Sequence, residues 1–411
     1  NFGIEHNSNP FGGAVFLGSS GELCSPKLDH CSFDHNSNNE GSAGCFIWAA
    51  SGPANAVFTD CSFSDNIGGG LSMFAANLLP CVVNVTSCTF TDNTAYGYYG
   101  GTYGGGINCS SATLNVSQSS FLHNEALFGG AISGSQMIGT YSMSISDCII
   151  EDNTATSGGG GIYLEKANCS VLNSSITNNH ALNGDGGGIL MQSYFVPNTV
   201  TFFCDATTFS GNNATDKGGA ICNRDPLLSM QLERPNIQGN TAALGGGFYM
   251  DFEDNATLNT SINLAIFNGN QSNGGSGGAI YLKQAAGTSH PGGLKLTSST
   301  FFGNQGDDAG ALVFADNMDL TGKHLVSWNN PGANTYGEFA AVNGASIDVS
   351  YSLLQSADCS AAGISLCNRN IFNHYPLFVN AAGNNFKLQM CSPAVNTGAI
   401  TNSTSTDFDG N

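Results

Sequence analysis

Positive charge is scarce in this chain: 10 Lys plus Arg stand against 30 Asp plus Glu in 411 residues, and charged residues of all kinds reach only 10%. At a formal net charge of −20, phosphate backbones and anionic bilayer surfaces are repelled. Nucleic acid is therefore set aside as a partner, while cations and neutral glycans fit. No run reaches the roughly 18 apolar residues that span a bilayer, so no membrane-spanning segment is expected. Nothing like a secretory leader stands at Asn1, which reads as the start of a mature or trimmed product. Long charged side chains are rare while Gly reaches 55 residues, a composition that predicts many tight turns and few helices.

Metal-binding cysteine spacing is also missing. The 14 Cys include no C-x-x-C pair, which argues against zinc fingers and for disulfides formed in an oxidising compartment. Cys359 and Cys367 are the closest pair. Other pairings cannot be read from sequence, and a buried free thiol is the alternative for several of them.

What the chain does have is a repeat. An apolar residue, two variable residues and an Asn recur, ending at Asn7, Asn36, Asn66, Asn93, Asn124, Asn153, Asn179, Asn212, Asn240, Asn270, Asn304 and, more weakly, Asn329. Steps of roughly 25 to 34 residues belong to solenoids or propellers, and a propeller blade of four strands needs more chain than that. Each Asn is followed by a glycine pair and an apolar strand, as in Gly129-Gly130-Ala131-Ile132, Gly218-Gly219-Ala220-Ile221 and Gly277-Gly278-Ala279-Ile280. Alternating runs such as 142–150 and 294–302 supply a second strand before the Asn.

Gly, Asn, Asp or His precedes nearly every repeat Asn, so a left-handed turn residue is expected there. The ten amides from Asn36 to Asn304 are then expected to stack coil on coil in a ladder that satisfies turn backbone groups. Five residues earlier a column of Cys31, Cys61, Cys88, Ser119, Cys148, Ser174 and Thr207 suggests a narrow interior position.

With its G-G-A-I and F-x-x-N motifs from about residue 4 to about residue 314, the sequence resembles the polymorphic outer-membrane-protein repeats of bacteria. The resemblance implies an all-β, right-handed, single-stranded parallel β-helix, displayed at the cell surface and often adhesive. About a dozen coils are expected over residues 1–330, with atypical closing coils and an irregular C-terminal cap over 331–411. The stretches 375–379, 392–395 and 407–411 look like the closing coils of secreted β-helix proteins. The autotransporter barrel of the bacterial family is not seen in the sequence.

Parallel β-helices also carry pectate lyases and polygalacturonases, so catalysis has to be argued from residues. Lyase chemistry wants a strong base, and only Arg224, Arg234 and Arg369 are present. Asp307-Asp308 is the best local glycosidase candidate, yet the N-T-D, G-H-G and R-I-K elements that accompany it in polygalacturonases are missing. A solvated turn is the favoured reading, and no catalytic or resident metal residue is assigned. Asp251, Glu253 and Asp254, or Asp407 and Asp409, offer at most weak Ca²⁺ binding, because neither has EF-hand spacing.

Three functional classes stand side by side: an extracellular structural or adhesive glycoprotein, such as one unit of a surface fibre, which composition favours; a carbohydrate-active enzyme; and a soluble glycan-binding module. For the first and third, Tyr96, Tyr98, Tyr99 and Tyr103 form an inserted aromatic cluster suited to ligand or subunit contact. Acceptor sequences for N-glycan stand at Asn84, Asn108, Asn115, Asn168, Asn173, Asn213, Asn255, Asn259 and Asn402. Asn108 and Asn168 are expected to be occupied after eukaryotic secretion, while Asn270 is expected to be bare because it is a ladder residue. The coil containing Asn7 opens the sequence with an uncovered strand edge, so its expected neighbour is another copy or adjoining chain, met end to end.

Overall fold

The computed structural model describes residues 2–5, 13–19, 21–38, 44–76, 79–96, 102–135, 141–193, 200–226, 228–252, 259–285, 293–306, 313–330 and 338–395. The chain is an all-β, right-handed parallel β-solenoid of about 10 turns with almost no helix. Asn7 and the pairs Asp307-Asp308 and Asp407/Asp409 lie outside the described residues, as do Glu253, Asp254, Tyr98, Tyr99, Asn255 and Asn402.

Two compact units divide the chain. One comprises 1–202 and 211–215, the other 203–210 and 216–411. In the first, a single coil shows how sequence becomes structure. Ser120–Leu122, Glu125–Phe128, Ile132–Ser135 and Ser142–Ser146 are its four strands. Each lies parallel to its counterpart in the neighbouring coils, with Phe121 opposite Phe90 and Ile150, and Ile132 opposite Ile107 and Ile162. Period-two alternation buries Phe121, Ala126, Met143 and Ile145 with less buried residues beside them, whereas in Ile132–Ser135 both Ile132 and the neighbouring Ser133 are buried.

Apart from a one-residue irregularity where Phe128 pairs Gly158, the register of these strands is unshifted from coil to coil, so like side chains stack. Phe33, Phe63, Phe90 and Phe121 form a column with ring centroids 4.6–4.7 Å apart and planes within 2–6°. Each such contact adds about 0.5–1.5 kcal/mol beyond the area it buries.

The glycine pair is dictated by backbone approach. Gly129 has φ 66°, a conformation that costs glycine nothing. A Cβ on Gly130 would sit 2.3 Å from the Gly160 carbonyl oxygen of the next coil, so neither position accepts a side chain.

The second unit repeats the plan, with its Asn-type strands running from Thr208–Ser210 to Ile371–Phe372. Parallel pairing passes residue 330 without a break: Val313 pairs Phe339, Asp348 pairs Leu366 and Leu353 pairs Ile371. The one described α-helix, Cys359–Ala362, is a single turn between closing strands. Beyond it, Phe378–Asn380 and Asn385–Leu388 form an antiparallel hairpin. Its Phe378 and Phe386 rings lie 5.9 and 5.3 Å from Phe302, and Tyr375 lies 5.6 Å from Trp328. Phe302 and Trp328 belong to strands of the Asn sheet, so this segment lies along the flank of its unit.

The turn amides form continuous ladders. In the first unit Asn36, Asn66, Asn93, Asn124, Asn153 and Asn179 each donate Nδ2–H to the Oδ1 of the next, as far as Asn212, at 2.8–3.0 Å. In the second, Asn240 donates to Asn270, Asn270 to Asn304 and Asn304 to Asn330, at 2.8–3.0 Å. Asn330 therefore continues the row, and Asn329, the residue that fits the F-x-x-N spacing, is the left-handed turn residue at φ 54°. The pattern is offset by one residue in this coil.

Asn153 shows the chemistry of one rung. Its Oδ1 accepts from the backbone N–H and Nδ2 of Asn124, while its Nδ2 donates to Asn179 and to the Phe121 carbonyl. The side chain is fully buried, so its removal leaves several partners unpaired, at about 1–3 kcal/mol each. Asn153→Ala is expected to lower stability by about 3–5 kcal/mol in urea unfolding, against about 0.5 kcal/mol or less for exposed Asn115→Ala. A shift for Asn153→Ala no larger than for Asn115→Ala would contradict this role.

Candidate interaction surfaces

A second corner of each coil carries the column of small residues, and its role differs from the narrow packing position expected. His30, Asp60, Ser87, Gln118, Asp147 and Asn173 all have positive φ, and each precedes one residue of that column. The thiol or hydroxyl that follows donates to the carbonyl two residues back: Cys61 to Thr59, Cys88 to Thr86, Ser119 to Ser117, Cys148 to Ser146, Ser174 to Leu172. It also accepts a backbone N–H from the preceding coil, as Cys88 does from Cys61, Ser119 from Cys88 and Ser174 from Cys148. Cys and Ser thus share one polar task.

This explains the cysteines. Cys359 and Cys367, the closest pair in sequence, are bonded as a disulfide with Cα atoms 6.1 Å apart, while the other twelve are thiols outside any disulfide, the alternative left open for several of them. Several are spent on corner hydrogen bonds, and others fill the core. Burial pushes the Cys81 and Cys148 thiols up to about 11 and Cys204 to about 12, and raises Cys45 and Cys109 as well. Such thiols stay protonated and unreactive. Alkylation of the native protein is expected to label exposed Cys391 first and half-buried Cys24 and Cys31 more slowly. The buried set should react only after denaturation, and peptide mapping that finds Cys45 or Cys109 labelled in the native state would refute this.

The coil at 206–224 holds both motifs in working geometry. Gly211 has φ 65° and Gly218 φ 65°, Asn212 is fully buried with Nδ2 on the Ile176 carbonyl at 2.8 Å, and Ala220 and Ile221 are in the core. Residues 12–202 match the family model of the right handed beta helix region. Residues 206–224 match that of the Chlamydia polymorphic membrane protein repeat. The fold is a right-handed β-helix, and one of its coils is similar to the polymorphic-membrane-protein repeat. That repeat type is one of surface or outer-membrane β-helix proteins. No curated protein matches the chain, and none of the described helices is long and apolar enough to cross a membrane.

On the outside of this β-helix the expected aromatic insertion divides. Tyr96 is 51% exposed, with its hydroxyl on Glu125 Oε2 at 3.1 Å. Tyr103 is only half-buried but stacks 5.6 Å from Phe128 and 5.9 Å from Tyr163, so it supports the turn. Sequence reading missed a second aromatic group. Phe16, Phe46 and Trp48 meet on the outward side of Val15–Ser19 and Cys45–Ala49 at centroid distances of 5.7, 6.1 and 6.5 Å. Phe16 is 46% and Trp48 39% exposed. Gly18 lies opposite Trp48, and a Cβ there would come within 2.7 Å of the Phe16 ring. The signal was present in aromatics at the outward phase of two consecutive glycine strands.

The glycan acceptors also separate by exposure. Asn115, Asn173 and Asn213 are exposed, Asn84, Asn108 and Asn168 half-buried. Asn270 is fully buried within the ladder. The Asn168 amide oxygen already accepts from the Thr201 N–H and hydroxyl at 2.9 and 3.1 Å. Asn259 begins the strand Asn259–Asn263. Asp251, the described member of its weak Ca²⁺ set, takes the Tyr249 hydroxyl at 3.1 Å. In a secretory eukaryotic host, glycopeptide mapping is expected to find Asn115, Asn173 and Asn213 occupied ahead of Asn168, with Asn270 bare. Glycan on Asn270 would break the ladder assignment.

Proposed function

We propose that this β-helix is an extracellular structural and adhesive protein of the cell surface, a rigid scaffold whose outward residues make contact with glycans or other chains, and that it is not an enzyme. One observation carries the reading: Phe16, Phe46 and Trp48 are gathered on the outward face of paired strands, the second of which buries Cys45, Ile47 and Ala49 on its other side. Rigid exposed rings offer an apolar face for stacking at little cost in conformational entropy. The acidic balance supports the same view, because such a surface suits neutral sugars better than polyanionic substrates.

Among the described residues the charged pairs give no competing signal. Arg234, the best-held base, grips Asp205 in a bidentate pair, a structural use of its guanidinium. Polysaccharide lyase or glycosidase action would need a free base or two opposed carboxylates.

Pectate, polygalacturonate and alginate, with and without Ca²⁺, are expected to remain undegraded by reducing-end and unsaturated-product assays. Trp48→Ala with Phe16→Ser is expected to reduce retention on a glycan array or cell surface at least tenfold, with the circular dichroism unchanged. Undiminished retention in that variant would remove the aromatic face as the contact. Reproducible turnover of any of the three polymers would return the enzyme reading.

A further inference from the structure

We infer that the β-helix binds a borderline divalent cation such as Zn²⁺ at two matched corners shared by successive coils, Asp29/His30/Asp60 and Asp34/His35/Asp65. In each set three ligand atoms, one imidazole nitrogen and two carboxylate oxygens, lie within 4.8 Å of one another. His30 Nδ1 is 2.9 Å from Asp29 Oδ1, with Nε2 3.8 Å from Asp60 Oδ2. His35 Nδ1 is 2.8 Å from Asp34 Oδ1, which also takes the Ser64 hydroxyl at 2.8 Å.

The fold builds these sets. Each His and the Asp of the following coil occupy the same left-handed corner position, His30 and Asp60 at φ 52° and 49°, His35 and Asp65 at 52° and 54°. Unshifted stacking therefore places an imidazole one coil-step, about 4.8 Å, from a carboxylate. The third ligand comes from the residue just before the His. The two sets flank one strand, Cys31–Asp34, and the imidazoles are 57% and 53% exposed, so an ion can reach them.

The donor chemistry selects the ion. One imidazole and two carboxylates suit Zn²⁺ and its late-transition neighbours, at about 2.0–2.2 Å per ligand, so small side-chain rotations would bring the present atoms onto one ion. Ca²⁺ wants six to eight oxygens. Three protein ligands leave a fourth position open to water or to a donor from outside the chain.

His123 serves as an internal control. It also stands among carboxylates, but Nδ1 faces Asp92 at 3.6 Å and Nε2 faces Asp152 at 3.8 Å. The residue before it is Leu122, so it lacks the adjacent carboxylate that meets Nδ1 in His30 and His35, and its two acids come from the coils on either side.

The test is titration of the full chain with Zn²⁺ by calorimetry, alongside His30→Asn, His35→Asn, the double variant and His123→Asn. Asn tolerates the left-handed turn while losing the ring nitrogen. Two ions are expected for the unchanged protein and for His123→Asn, one for each single variant and none for the double, with equal thermal unfolding in the absence of metal. Co²⁺ absorption supplies a second readout, since imidazole–carboxylate ligation gives no thiolate charge-transfer band. No saturable binding, stoichiometry unchanged in the double variant, or a thiolate band abolished by Cys31→Ser would each overturn the inference.

Discussion

The structure depends on one constraint: every coil must repeat the backbone path of the coil before it, so that parallel strands stay in unshifted register. A parallel sheet cannot be joined by tight hairpins. Here the chain closes a whole turn before it meets itself, and the corners decide whether the register holds. The buried Asn does that work because a carboxamide can donate and accept at once, and each coil presents both a carbonyl and an N–H at that point. Aspartate would lack the donor and leucine would lack both.

Register explains the rest of the interior. Once coils superimpose, Phe33, Phe63, Phe90 and Phe121 have no choice but to stack, and the glycine pair has no room for a Cβ. The thiol and hydroxyl corner follows the same logic with a smaller group. At that position what matters is an atom two bonds from the backbone that can donate to one carbonyl and accept one amide, which is why Cys and Ser alternate there.

Much of this was legible in the sequence, because a solenoid writes its contacts at constant spacing: the Asn column, the residue before it and the glycine pair could all be found by alignment of the chain with itself. Three things were not. The Cys/Ser column was visible as a column, yet small size and hydrogen-bonding capacity look the same in one-letter code. The ladder slipped from Asn329 to Asn330, where Ser327 takes the inward phase that Phe301 holds one coil earlier. The aromatic face at Phe16, Phe46 and Trp48 was hidden because the phase of a strand, inward or outward, is settled by its register, and Trp48 reads equally well as core.

The amide ladder also has a direction. Every rung gives its Nδ2–H the same way along the row, so the two neighbours of a rung do not stand in equal relation to it. If the Asn93 side chain were lost, the Asn66 backbone N–H and one of its Nδ2 hydrogens would lose their acceptor, while the other Nδ2 hydrogen stays on the Phe33 carbonyl. Asn124 on the other side would keep its donations to Asn153 and to the Phe90 carbonyl and lose only hydrogens that pointed at its oxygen. Damage at one rung therefore spreads asymmetrically, loosening the coil that precedes it in sequence while the coil that follows stays bonded, and the array comes apart as a one-way zip.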